Sequence, residues 1–223
     1  MRLLTLLLIV CSALDAQVAA DANRSYQSQR SREVMVANLS DPERLTRLQG
    51  ERIIAALPLK PGMTVADIGT GAGVMLPLFS KAVGPTGKVI SEDIFPDFLD
   101  AARRNSAKQG LTNVEFILGD EKDVRLPAAC CDLAVSIDSY HHFDYPAEML
   151  ASIARGLKPG GQLVIVDYYK RPGAMGDRVD AVEHIRLDKD DAIREIEANG
   201  FELVEKREHV PGSQWMGFFK PRR

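Results

Sequence analysis

The chain has 223 residues, 45% of them hydrophobic, and a formal net charge of −3. This length suits one domain with a sizeable buried core, and the charge balance lacks the broad basic footprint that nucleic-acid binders carry. No nucleic acid is therefore expected as a partner, the basic run Lys220-Pro221-Arg222-Arg223 being short and terminal.

Residues 1–20 read as a signal peptide. Arg2 is a minimal charged start, Leu3 to Leu14 an apolar run, and Val18-Ala19-Ala20 a small-residue cleavage site that leaves Asp21 as the new first residue. The run falls short of the ~20 apolar residues that span a bilayer. The expectation is an exported, periplasmic or secreted protein; weak anchoring by an uncleaved leader, the one membrane contact foreseen, is the alternative. Residues 21–59 form a second segment. Asn23 to Arg32 is polar and reads as irregular, whereas Ser40-Asp41-Pro42-Glu43 is a helix start, with a cap, a proline in the first turn and acids against the dipole. That helix is expected to run to about Leu57, either closing over a ligand or capping a sheet face.

The main domain is expected over residues 60–223. Val65-Ala66-Asp67-Ile68 reads as a buried strand that opens into Gly69-Thr70-Gly71-Ala72-Gly73, where glycine lets the backbone turn sharply and approach a ligand closely. A helix from Val74 to Val83 follows, its first amides pointing back over the loop. Strand, glycine loop and helix together make a nucleotide-cofactor site at the carboxyl end of a parallel sheet. The second strand ends in Glu92-Asp93, and Asp93 lies about 24 residues beyond Gly69, near the ~20 at which such folds place a carboxylate on ribose hydroxyls. Glu92 and Asp93 face opposite ways by strand alternation, and Asp93, followed by Ile94, is the preferred contact. A helix over about Asp97 to Gln109, a strand at Val114 to Leu118 and the turn Gly119-Asp120-Glu121 come next. The fourth strand, Asp132 to Asp138, leads into Ser139-Tyr140-His141-His142-Phe143, the densest cluster of titratable and aromatic groups. A turn and strand over Leu157 to Asp167, a helix over Asp188 to Asn199 stopped by Gly200, and a hairpin of Phe201 to Val210 with Gln214 to Phe219 complete the chain.

The loop spacing Gly69-x-Gly71-x-Gly73 differs from the dinucleotide pattern G-x-G-x-x-G. With Asp67 before it and Leu157-Lys158-Pro159-Gly160-Gly161-Gln162-Leu163 after the fourth strand, it resembles the class I S-adenosylmethionine-dependent methyltransferases, in their UbiE-like small-molecule branch. The likeness runs from about Lys60 to Lys220. It implies an α/β, Rossmann-like doubly wound seven-stranded sheet, mostly parallel, with an antiparallel strand from the C-terminal hairpin. It also implies S-adenosyl-L-methionine as cofactor, held by Asp67, Gly69, Thr70, Gly71, Gly73, Asp93, Ile94, Asp120, Glu121 and Asp138. In the family Asp67 supports the amino-acid end, the Asp120-Glu121 turn meets the adenine, and Asp138 meets the methionine end. The pocket for the acceptor opens after the fourth strand.

The expected reaction is methyl transfer to a small or lipophilic acceptor, with catalysis mainly by positioning. Tyr140, His141 and His142 are the candidate catalytic residues where a proton must leave the acceptor, although one histidine is equally suited to anchoring its loop. His184 and Arg186 are candidate substrate contacts, sharing a face if the segment is extended; a solvated charged loop is the plainer reading. With four histidines and no Cys or Glu at ligand spacing among them, no metal site is expected. Cys130 and Cys131 read as small hydrophobes, too few for arsenic chemistry. A nicotinamide-dependent Rossmann oxidoreductase and a noncatalytic exported binding protein are the competing readings.

Overall fold

The structure, a computed structural model, describes residues 17–177 and 179–222, so most of the expected signal peptide lies outside the described residues. Among the described residues seven strands form one sheet: β1 (Thr64–Ile68), β2 (Lys88–Asp93), β3 (Val114–Leu118), β4 (Cys131–Ile137), β5 (Leu157–Tyr168), β6 (Phe201–Val210) and β7 (Gln214–Pro221). Their order is β3-β2-β1-β4-β5-β7-β6. Pairings among β1 to β5 are parallel, whereas β7 runs antiparallel to both β5 and β6. The order reverses between β1 and β4, and the carboxyl ends of these two strands define the crevice where such sheets bind ligands.

The apolar runs in the central strands follow from burial on both faces. Ala66, Ile68, Ala134, Leu163 and Ile165 pack to one side with Leu150, Ile153, Ile196 and Phe219. Val65, Leu133, Val135, Val164 and Val166 pack to the other with Leu76, Phe79 and Val83. Those last three recur at helical spacing on α4 (Leu76–Val83), which lies on the second face. Burying Phe79 fully contributes about 1.5–3 kcal/mol. On the first face, α6 (Pro146–Gly156) and α8 (Lys189–Ala198) present Leu150, Ile153, Ala192 and Ile196 inward. The sequence reading had passed over α6, whose apolar residues Met149, Leu150 and Ile153 are its buried stripe. A further helix, α5 (Pro96–Lys108), buries Phe98, Leu99, Ala101 and Ala102.

Two expectations for the N-terminal segment are corrected. Residues Asn23 to Arg32 are not irregular: a 3-10 turn covers Ala22–Tyr26, and α1 spans Gln29–Leu39 with Ser28 accepting the Ser31 amide as its cap. No residue of α1 is fully buried; Arg32, Met35, Val36 and Leu39 make one half-buried face at helical spacing. Contacts to α5 hold it: Arg32 pairs with Asp97 at 2.8 Å and lies over the Phe95 ring. The second correction is a break in the expected Ser40–Leu57 helix. It divides into α2 (Glu43–Arg47) and α3 (Gly50–Ala56), with Gln49 left-handed at φ 50° between them. Asp41 caps α2 through the Glu43 amide. The break lets Leu48 bury fully, its carbonyl lying 2.9 Å from His209 Nε2 on β6, while Arg44 on α2 lines the crevice.

Candidate active site

The loop between β1 and α4 forms one wall of the crevice. Gly69, Gly71 and Gly73 all have positive φ, at 72°, 56° and 77°, a conformation that costs glycine little. Space is equally strict at the first of them, since a Cβ on Gly69 would lie 2.0 Å from Ser139 Oγ. The loop is pinned to β2 by its own amides. Gly71 N–H donates to Asp93 Oδ2 at 2.9 Å, Gly69 N–H to Glu92 Oε2 at 3.3 Å, and Thr70 N–H to the Glu92 carbonyl at 2.8 Å. Thr70 Oγ1 donates to Asp67 at 2.7 Å. The other Asp93 oxygen accepts the Phe95 amide.

The crevice opens as a cavity of about 940 Å³, its open mouth included. The lining contains Asp67, Gly69, Thr70, Gly71, Glu92, Asp93, Ile94, Glu121, Asp138 and His142. Burial dominates its electrostatics. It raises Asp67 to about 7 against the Thr70 hydrogen bond, and Asp93 to about 6 against three backbone amides. Glu92 is pushed well above the carboxylate range by burial and by the charges of Asp93 and Asp67, and its Oε1 has no partner.

Sequence reasoning missed the residues that close this cavity from the N-terminal segment. Arg44 on α2 donates to Asp138 Oδ2 at 2.6 Å, with both side chains largely buried. Burial alone would lower the Arg44 guanidinium, but the Asp138 charge outweighs it and holds it above its usual value. Asp138 itself is left-handed at φ 54°. Tyr26 packs edge-on against Phe98 and His142, and it also touches Phe95. Asn23 donates to the His142 carbonyl and to Asp144, while its own Oδ1 accepts from His142 Nδ1 at 2.8 Å. Val18 and Ala19 also bond Asp144 through their amides. Only Ser40-Asp41-Pro42 hinted at an ordered element here; the arginine among several exposed ones gave no local signal.

The remaining candidates separate by place. Asp120 lies outside the cavity: its carboxylate accepts the Lys122 and Asp123 amides and pairs with Arg125, which holds it below the usual carboxylate range. Tyr140 is turned away from the cavity and donates to Glu195 at 2.6 Å, and burial with that neighbouring charge raises its phenol. Arg186 is bidentate on the same Glu195, at 2.8 and 2.6 Å, so its fork ties α8 to the loop before it. His141 is 2% exposed; its Nδ1–H donates to Asp167 at 2.8 Å and its Nε2 has no partner. Burial pulls this imidazole down, but the Asp167 charge more than compensates and raises it. His142 is lowered well below its usual value, and His184 lowered, by burial and by neighbouring imidazoles. Cys130 and Cys131 lie at the start of β4, the opposite end of the sheet from the cavity.

The fold and the glycine-lined crevice define a nucleotide-cofactor α/β protein with an inserted antiparallel strand. The methyltransferase domain family matches residues 59–208, and the chain belongs to it. A UbiE ubiquinone/menaquinone biosynthesis C-methyltransferase of Pseudomonas fluorescens is 30% identical over 122 residues, 54% of this chain and 48% of that one. An arsenite methyltransferase of Halobacterium salinarum is 34% identical over 116 residues, covering 49% and 28%. The chain thus spans about half, or less, of the length of these curated relatives. A crystal structure of a SAM dependent methyltransferase from Aquifex aeolicus superposes with a TM-score of 0.75 at 29% identity, covering 83% of this chain and 96% of that one. The competing dinucleotide oxidoreductase reading gives way to this family.

Proposed function

We propose that this protein transfers a methyl group from S-adenosylmethionine to a small or lipophilic acceptor. The observation that carries this is the cavity lining. It joins a left-handed glycine loop pinned to Asp93, the Arg44–Asp138 pair and the His142 ring. Those groups fit the cofactor's parts. Asp93 accepts from vicinal hydroxyls, Asp67 and Asp138 suit an ammonium, and Arg44 suits a carboxylate. Bare backbone at Gly69 and Gly71 allows close approach. S-adenosylmethionine supplies an already activated methyl, so the chain's own work is to orient the acceptor and exclude water. Tyr26, Phe95 and Phe98 make the apolar side of that enclosure. Of the three candidate catalytic side chains, His142 reaches the cavity, while Tyr140 and His141 stand behind it. Asp120 supports the turn that carries Glu121. Arg186 is a positioning residue for the His184 segment.

Calorimetric titration of the purified protein with S-adenosylmethionine, and in parallel with NADH, tests the reading. Micromolar binding to S-adenosylmethionine alone is expected; binding to NADH alone overturns it. The names of the curated relatives point to quinone and arsenite acceptors. The position of Cys130 and Cys131 away from the cavity favours an organic acceptor over arsenic, which thiolates hold best. We also propose export through residues 1–20, with cleavage there giving up the Val18 and Ala19 amide hydrogen bonds to Asp144; fractionation of cells making the full chain tests it, and recovery of the uncleaved chain in the cytoplasm would refute it.

A further inference from the structure

Three of the four histidines converge. His141 and His142 leave the end of β4, and His184 closes the short helix α7 (Ala181–His184). Their ring centroids stand 4.1 Å (His141 to His142), 5.0 Å (His141 to His184) and 5.2 Å (His142 to His184) apart. A ligand nitrogen from each ring lies within 4.8 Å of the others. A tetrahedral zinc ion with bonds of about 2.0–2.1 Å needs nitrogens about 3.3 Å apart, and the His184 ring, held by no hydrogen bond among the described residues, is the one to close the distance to the anchored His141 and His142.

The tautomers point the same way. With His141 Nδ1–H spent on Asp167 and His142 Nδ1–H on Asn23 Oδ1, each Nε2 of a neutral ring keeps a lone pair, and a bound cation would favour that neutral form. A carboxylate or amide oxygen behind an imidazole is the outer shell that orients histidine ligands toward a metal. His141 Nε2 is buried with no partner, an arrangement that is disfavoured unless something takes up the lone pair. His142 Nε2 has only the Tyr26 hydroxyl, at a long 3.5 Å. No hydrogen bond among the described residues engages the His184 ring. The neighbouring trio of Asp138, His141 and Asp167 meets the same distance limit, but its carboxylates are committed. Asp138 is held by Arg44, and Asp167 accepts from the His141 backbone, the His141 ring and the Tyr168 amide.

We propose that His141, His142 and His184 form a binding site for one divalent transition-metal ion of the zinc class. Three imidazoles suit such a metal, and three protein ligands leave a fourth position for water or an acceptor atom. Because His142 lines the cavity, the ion would border it, and His142 would act there through the ion rather than as a free base. This site is read from the histidines alone and stands apart from the methyl-transfer reading, so the two can fail separately.

The test is metal binding by the full chain after treatment with a chelator, using Zn²⁺ with elemental analysis and Co²⁺ with visible absorption. About one equivalent should remain after desalting, with the cobalt form showing intense tetrahedral bands. His184→Ala should weaken Zn²⁺ binding at least tenfold, and Asp167→Asn should weaken it by about 10–100-fold, while S-adenosylmethionine affinity is kept. His184→Ala is the safer variant because its ring makes no hydrogen bond among the described residues; circular dichroism checks that it is intact. Absence of a stoichiometric ion in the wild type overturns the proposal. So does Zn²⁺ binding that is undiminished in His184→Ala, or binding that disappears in Cys130→Ser.

Discussion

Gly71 has two constraints on it, a φ of 56° and the Leu39 side chain 3.2 Å from where a Cβ would stand. Gly71→Val should therefore abolish S-adenosylmethionine binding by calorimetry while leaving a cooperative unfolding transition; normal affinity would remove the loop from the site. Asp93 lies beneath that loop with its carboxyl raised to about 6 by burial. Asp93→Ala should weaken cofactor binding by about 1.5–3 kcal/mol, the worth of a hydrogen bond to a charged group. The sign of its pH dependence follows from the raised value. The carboxylate that accepts hydroxyl protons is present above about 6 and is lost as pH falls, so the Asp93 contribution to affinity is nearly complete at neutral pH. Below about 6 it should decline by up to tenfold per unit for the single proton taken up. A flat affinity between pH 5 and 7, read by titration in matched buffers, would move the contact to another group.

Among the elements, α2 meets the end of the sheet through one charged contact among the described residues, made by Arg44 in its first turn. Arg44 is 20% exposed and Asp138 10%, so the pair is screened less than a surface bridge yet not sealed from water. Arg44→Ala leaves Asp138 without its cation and should cost about 1.5–3 kcal/mol, measured by urea unfolding, with weaker cofactor binding as well. An unchanged midpoint would mean that α2 rests on Leu45 and Leu48 alone. The arrangement also explains why the segment folds as two short helices. A continuous helix would keep the Leu48 carbonyl within its own hydrogen-bond ladder, whereas the left-handed turn at Gln49 presents it to His209 on β6.

For the whole molecule, ligand binding and stability are linked by mass action. A cofactor at a hundred times its Kd adds about 2.7 kcal/mol to the folded state, which for a chain of this size raises Tm by about 5–10 °C. The single tryptophan, Trp215, is 1% exposed on β7, so its fluorescence follows melting of the sheet. S-adenosylmethionine should give this shift and NADH none; an NADH shift of the same size would contradict the family reading at the level of the intact protein.

The strands, the glycine loop and the final hairpin were legible in the residues because each depends on local chemistry. Val65, Ala66 and Ile68 are apolar where a central parallel strand must be, Gly69, Gly71 and Gly73 stand where φ is positive, and Pro211-Gly212-Ser213 turns β6 into β7. The spacing of those glycines with Asp67, and the later Leu157 to Leu163 phrase, were sufficient to separate a methyltransferase-type loop from a dinucleotide one. What only the tertiary structure decided is which side chains meet. It sent Tyr140 and Arg186 to Glu195 and brought Arg44 to Asp138. It also gathered His184 with His141 and His142 and set α1 against α5 through the Arg32–Asp97 pair. Most of these contacts join residues far apart in the chain, and no periodicity or spacing carries them, because they arise only once the sheet has fixed where its loops and helices end.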